Sequence, residues 1–295
     1  MGSGAPSPFT HDAARLAGMP TVGNMLKAAR ERISGGDARR EAEILLAHAL
    51  CVTRAWLAAH ANDEIDASRA ARFTGLIERR ARGEPVGYLT GIRGFHELEL
   101  HVTPDVLIPR PETELLVDRA LQRIPVDADC AVADLGTGSG AIALAIAKAR
   151  PRARVVATDA SKAALQVAGA NAERLDLRNV EFAQGDWCVA LGDAVFDLVV
   201  SNPPYVAERD PHLREGDLRF EPPAALASGA DGLDAIRIIV HESRAHLRAG
   251  GWLMLEHGFD QGSAVRELLV AHGYIEVFTE PDLEGRERVS GGRAA

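Results

Sequence analysis

Apolar positions in the first quarter of the chain recur with helical spacing. Between Asp37 and Cys51, the residues Ala42, Leu45, Leu46, Ala49 and Leu50 fall on one helical face. Thr21, Asp37, Thr53 and Asp66 each precede an amphipathic stretch. Their side-chain oxygens suit an N-cap, where they take a backbone N–H that the helix leaves unpaired. Gly83 suits the left-handed residue that ends the last of these helices. Residues 21–85 are therefore predicted to form a small helical domain, preceded by a flexible N-terminus over 1–20. From Val86 the period changes: Leu98, Leu100 and Val102 alternate with Glu99 and His101, which predicts a β-hairpin linker within 86–108. Pro109 and Pro111 then force an extended entry into a helix from about Glu112 to Ile124.

Short apolar runs alternate with longer helical patterns through the rest of the chain. Ala131 to Leu135, Ala153 to Thr158, Val180 to Ala183, Phe196 to Ser201, Trp252 to Glu256 and Ile275 to Thr279 read as strands. Ser139 to Ala149, Ser161 to Leu175, Leu233 to Leu247 and Gln261 to His272 read as helices between them. Such alternation builds βαβ units, so residues 109–295 are predicted to form a doubly wound α/β domain with a mostly parallel, Rossmann-like sheet.

Composition narrows the class. The 295 residues are 46% hydrophobic and 25% charged, the balance of a globular protein. Apolar runs such as Ala141 to Ala147 are far too short to span a bilayer, so no membrane association is expected. Met1 to Ser7 lack the charged and apolar regions of a secretory leader. Cys51, Cys130 and Cys188 stand far apart and form no CxxC pair, so neither a disulfide framework nor a metal site is expected, and the reading is cytoplasmic. Charge is uneven: the first 93 residues carry 13 Lys and Arg against 10 Asp and Glu, and the remainder 20 against 32. An α/β half that acidic repels a phosphate backbone, which argues against direct DNA binding.

Four segments carry the chemistry. Gly136-Thr137-Gly138-Ser139-Gly140 follows the first α/β strand and opens a helix, where glycines bring backbone amides close to a ligand. Gly136, Gly138 and Ala141 equally satisfy the dinucleotide fingerprint G-x-G-x-x-G/A. Asp159 ends the next strand, where a carboxylate accepts hydrogen bonds from both ribose hydroxyls of either cofactor type. After the third strand, Asp186 suits an adenine amino group or a plain turn, and Trp187 offers a flat face to a base or to the core. Asn202-Pro203-Pro204-Tyr205 follows the fourth strand. There the Asn202 side-chain carbonyl and the Pro203 backbone carbonyl can accept both hydrogens of one NH2 group, and Tyr205 can stack on a planar amide or base.

Together these segments resemble the class I S-adenosylmethionine-dependent methyltransferases that modify planar nitrogen. Leu107 to Glu114, Glu221-Pro222, Ala225-Leu226, Gly229 to Leu233 and Leu255-Glu256-His257-Gly258 narrow the likeness to the HemK/PrmC family, which it covers from about residue 20 to 290. That family methylates the side-chain amide nitrogen (N5) of the glutamine in the Gly-Gly-Gln motif of peptide-chain release factors. The resemblance implies S-adenosyl-L-methionine as methyl donor, S-adenosyl-L-homocysteine as product, no metal, and a release factor as protein partner docked by the helical domain. It places the methionine end of the donor at Gly136 to Gly140, the ribose at Asp159 and the adenine at Asp186 and Trp187. Asn202, Pro203, Pro204 and Tyr205 would receive the glutamine, with Asn202 also touching the donor and Phe95 of the hairpin closing over it. Arg110, Glu112 and Glu114 read as an ion network near the pocket mouth. His96, His101 and His257 read as surface or core residues.

The alternatives are a ribosomal-protein glutamine methyltransferase and a DNA adenine-N6 methyltransferase, since an exocyclic amine suits the same cradle. A dinucleotide-dependent oxidoreductase shares the glycine turn but has no use for Asn202 to Tyr205.

Overall fold

The computed structural model describes residues 19–34 and 37–295. Most of the stretch expected to be a flexible N-terminus therefore lies outside the described residues. The chain divides after Thr90 into two compact units.

The first unit is helical: α1 (Val22–Arg32), α2 (Ala38–Leu50), α3 (Arg54–Ala59), α4 (Ala67–Ala81) and α5 (Val86–Thr90). Thr21, Asp37, Thr53 and Asp66 cap the first four, each side chain accepting from the backbone N–H three residues on. Ala42, Leu45, Leu46, Ala49 and Leu50 are all buried, packed with Val22, Leu26, Phe73 and Ile77 in one core. Gly83 takes φ +94 just past the end of α4. The expected hairpin does not begin at Val86. Val86–Thr90 is a helical turn of this unit, whose Thr90 hydroxyl donates back to the Val86 carbonyl at 3.0 Å and so satisfies a terminal acceptor.

The second unit opens with the antiparallel hairpin β1 (Ile92–Phe95) and β2 (Leu98–His101). Then come α6 (Thr113–Arg123), β3 (Ala131–Leu135), α7 (Ala141–Ala149), β4 (Arg154–Asp159), α8 (Lys162–Arg174), β5 (Val180–Gln184), β6 (Phe196–Ser201), α9 (Asp234–Ser243), β7 (Leu247–Glu256), α10 (Gly262–Ala271), β8 (Tyr274–Pro281) and β9 (Glu287–Ala294). The seven-stranded sheet runs β5-β4-β3-β6-β7-β9-β8, parallel from β5 to β7. β9 is antiparallel to both neighbours and was not foreseen from the sequence. Its Gly291 and Gly292 break the apolar pattern because side chains there have no room: a Cβ at Gly291 would lie 2.7 Å from the Leu253 carbonyl oxygen and 2.7 Å from the Phe278 ring.

Each face of the sheet carries its own apolar layer. One packs α6, α7 and the hairpin against the sheet through Leu116, Leu144, Ile146 and Leu198, and the other packs α9 and α10 through Ile236, Ile239, Val265 and Leu269. Strand order reverses at β3, flanked by β4 on one side and β6 on the other. Register aligns Leu135 with Thr158 and with Ser201, so the loops leaving β3, β4 and β6 emerge together at the carboxyl edge. Open α/β sheets bind their ligands at such a switch point. Among the described residues no helix is long and apolar enough to cross a membrane.

Candidate active site

A cavity of about 430 Å³ opens at that switch point. Gly136, Thr137, Gly138, Ser139, Asp159, Asp186, Trp187, Asn202 and Pro204 line it, drawn from the loops after β3, β4, β5 and β6. All four sequence-predicted segments therefore meet in one hollow. Gly140 does not line it. At φ +85 it turns the chain into α7, and a Cβ there would lie 2.9 Å from Leu144.

The glycine-rich loop is pinned chiefly by main chain. The N–H groups of Gly136 and Thr137 both donate to the Thr158 carbonyl at 2.9 Å. Beneath them Asp134 is fully buried, and its Oδ2 accepts from the Thr137 hydroxyl at 2.7 Å and from the Ala143 N–H at 3.1 Å. Its Oδ1 has no partner, and burial pushes the carboxyl up to about 7. Gly136 has φ +73, and a Cβ there would lie 3.2 Å from the Trp187 ring, so the indole sits against the bare backbone of the loop. Trp187 itself holds φ +41, a strained conformation for a bulky residue that keeps its ring on the cavity wall.

Asp159 spans the cavity rim: Oδ2 accepts from the Gly138 N–H at 2.9 Å and Oδ1 from the Ser161 N–H at 2.8 Å. Each carboxylate oxygen has two acceptor sites, so the group retains capacity for a diol. On the opposite wall Asn202 Nδ2 donates to Thr113 Oγ1 at 3.0 Å. That bond occupies the donor end of the amide and leaves Oδ1 as the end available to a ligand.

Three predicted residues sit elsewhere. Phe95 does not close over the cavity. It is 1% exposed and packs in the hydrophobic layer with Leu98, Leu100 and Leu116, because β1 turns its bulkiest apolar side chain inward. Pro203 is buried beneath the loop rather than lining the hollow. Tyr205 also lies off the lining: its ring packs on the layer containing Leu233 and Leu255, and its hydroxyl donates to Glu256 Oε1 at 3.1 Å. Desolvation raises that phenol well above its ordinary range.

Arg110, Glu112 and Glu114 form no mutual network. Arg110 pairs with Glu221 at 2.6 Å, while Glu114 accepts from the His96 N–H at 2.9 Å. His96 holds φ +50 and lies 3.3 Å from Asp118, whereas His257 is buried and bonds Ser290 Oγ at 2.8 Å.

Sequence reasoning missed part of the wall. Val106, Leu107, Pro109 and Thr113 close one side, and Pro222, Ala224 and Ala225 another. Most are small or apolar and carry no local sign of lining a cavity, although Leu107, Pro109, Thr113, Pro222 and Ala225 lie in the segments that carry the family resemblance. It also missed Asn171, fully buried, whose Oδ1 accepts from the His101 N–H at 2.7 Å. Its Nδ2 donates to the carbonyls of His101 and Ser139 at 2.9 and 3.0 Å, stapling the hairpin to the glycine-rich loop. Among the described residues no group of three His, Cys, Asp or Glu side chains is placed to hold a metal.

Comparison with known proteins gives the following. Residues 112–216 match the family described as methyltransferase small domain, and residues 24–91 the PrmC N-terminal domain. A release factor glutamine methyltransferase of Xylella fastidiosa is 56% identical over 275 residues, 93% of this chain and 98% of its own length. Its counterpart in Escherichia coli is 45% identical over 255 residues, 86% of this chain and 92% of its own. A solved methyltransferase from Pyrococcus furiosus shares the fold, with TM-score 0.52 at 19% identity over 67% of this chain and 89% of that one.

Proposed function

The chain belongs to the release factor glutamine methyltransferases, and on that premise we propose that its cavity brings S-adenosylmethionine against the glutamine side chain of a release-factor Gly-Gly-Gln motif. The observation that carries this reading is the Asn202 amide, tethered at its donor end to Thr113 and lining the cavity with an acceptor to offer. A substrate presenting an NH2 group suits that polarity.

The residues present fit an adenosyl donor. Gly136 leaves the space a Cβ would take beside Trp187, Asp159 offers acceptors for a ribose, and Asp186 and Trp187 stand where a base would lie. When bound, S-adenosylmethionine supplies an electrophilic methyl on a sulfonium. The chain's task is then the acceptor. An amide nitrogen is a poor nucleophile because its lone pair is delocalised into the carbonyl. Asn202 Oδ1 accepts one of its hydrogens, fixes its orientation and favours the positive charge growing on nitrogen. Pro203 and Pro204 keep that loop rigid, so little reorganisation accompanies the reaction. The helical unit would engage the body of the release factor. That substrate implies a cytoplasmic setting.

The test is mass spectrometry of a recombinant release factor incubated with the protein and methyl-labelled S-adenosylmethionine. One added methyl on the Gly-Gly-Gln glutamine is expected. Bound donor with no transfer to that residue would move the acceptor to another glutamine or to nucleic acid.

A further inference from the structure

The acceptor loop leaves the cavity through a junction that plays no part in the chemistry above. Asn202 to Tyr205 contains two consecutive prolines, so half of its residues have no N–H with which to fix the main chain. Asn202 fastens the front of the loop to Thr113. The back is fastened at the Tyr205 carbonyl, which accepts from Gln261 Nε2 at 3.0 Å. Gln261 stands just before α10 and outside the cavity lining. The same NH2 group donates to the Asp231 carbonyl at 3.2 Å, and Gln261 Oε1 accepts from the Gly258 N–H at 2.8 Å.

Each of these partners allows only one polarity. A carbonyl can only accept and a backbone N–H can only donate, so a single orientation of the Gln261 amide satisfies all three. Main chain packs tightly around it. Gly232, at φ +78, comes so near that a Cβ there would run into the Tyr205 carbonyl oxygen and lie 2.8 Å from Gln261 Nε2. Val206 then pairs with another strip of chain, donating to the Leu226 carbonyl and accepting from the Ser228 N–H, both at 2.9 Å. That strip is continuous with Pro222, Ala224 and Ala225 of the cavity wall. One side-chain amide thus joins both ends of the segment from Tyr205 to Asp231 and sets where the acceptor loop stops.

We propose that Gln261 is a positioning residue: by holding the Tyr205 carbonyl it fixes the acceptor loop, and with it Asn202 Oδ1, against the incoming amide. This rests on the reading of Asn202 as acceptor for the glutamine amide.

The experiment measures methylation of whole release factor by the full-length protein and by Gln261→Ala, Gln261→Glu and Arg266→Ala. Donor Kd by calorimetry and thermal melts are recorded for each. A 1 Å misplacement at a reacting centre costs about a hundredfold, so the loosened loop of Gln261→Ala should lower kcat about tenfold. Donor Kd and release-factor KM should change less than about threefold. Gln261→Glu keeps the acceptor for Gly258 but removes both donors and sets a carboxylate against two carbonyls, so it should lose at least as much kcat. Should either Gln261 variant fail to fold, the other carries the test. Arg266→Ala loosens the same helix through different partners, Thr279 and Glu287, and should lower the melt with kcat unchanged. Unchanged kcat in Gln261→Ala, a loss confined to KM or Kd, or an equal loss in Arg266→Ala would overturn the proposal. No methyl on the release factor from the unaltered protein would instead overturn the reading of the substrate, and the proposal with it.

Discussion

Two carboxyls are buried at the carboxyl edge of one sheet, Asp134 under the glycine-rich loop and Glu256 under the Asn202-to-Tyr205 loop, and they grip their loops by different means. Asp134 receives one main-chain and one hydroxyl hydrogen bond, and the loop above it is further tied by the Gly136 and Thr137 amides on the Thr158 carbonyl. Glu256 is met by one side chain, the hydroxyl of Tyr205. A loop held by main chain is insensitive to side-chain chemistry and sensitive to added bulk. A loop held by side chains fails when a single polar atom is removed. The donor half of the cavity should therefore break by adding atoms and the acceptor half by deleting them.

The largest effect is expected on the acceptor side. Asn202→Ala deletes the carbonyl that orients the reacting amide, and comparable deletions of a charge-stabilising group cost about 10² to 10³ in kcat. Steady-state methylation should show that loss while calorimetric donor affinity changes less than about threefold. Retained turnover would mean the acceptor is oriented elsewhere and the contrast between the halves is misdrawn. On the donor side, Gly136→Val places a side chain at φ +73 and against the Trp187 ring. Strain of roughly 1–3 kcal/mol corresponds to about a ten- to hundredfold weaker donor Kd, read by the same calorimetry.

What the sequence made legible divides along similar lines. Strands β3 to β6 announced themselves as short, mostly apolar runs, the helical caps as single polar residues before amphipathic stretches, and the glycine-rich loop by residue types with a direct backbone meaning. Residues whose role depends on distant partners stayed hidden. Thr113 gains its place only because α6 starts beside β6, and Asn171 only because α8 passes both the hairpin and Ser139. Phe95 was expected over the substrate because an aromatic in a hairpin has no local mark of which face it takes, and the fold turned it into the core. β9 was missed because its glycine pair answers steric demands from Leu253 and Phe278 that no linear pattern contains.

Protonation offers a way to compare the two carboxyls directly. Burial pushes both Asp134 and Glu256 up to about 7. A carboxyl with a higher pKa folded than unfolded holds its proton more tightly in the fold. Its contribution to stability is complete below the unfolded value near 4 and is lost as pH rises through about 7. Urea unfolding should therefore show stability falling between pH 5 and 8 by roughly 2–4 kcal/mol for each group, and Asp134→Asn and Glu256→Gln should each flatten that slope. Carboxyls held low by partners, such as Asp231 at about 2, titrate below this window and do not contribute to it. A slope unchanged in either variant would mean that carboxyl is already ionised at pH 5, and that its unpartnered oxygen is met by something other than a proton.

The smallest effect is expected where the contrast has its exception. Asn171 is a side-chain fastening on the main-chain half, joining Ser139 to the hairpin. Asn171→Ala strips the Ser139 carbonyl of a buried donor, at a cost of about 1–3 kcal/mol in stability. The Gly136 and Thr137 amides still bond the Thr158 carbonyl in this variant, so the loop keeps its shape. Donor affinity should weaken only a few-fold, well short of the ten- to hundredfold expected for Gly136→Val, and kcat at saturating donor should hold. If instead Asn171→Ala weakens the donor as much as Gly136→Val does, the glycine-rich loop is held by its side-chain staple after all. Both halves of the cavity would then obey the rule that removing one polar atom is what breaks them.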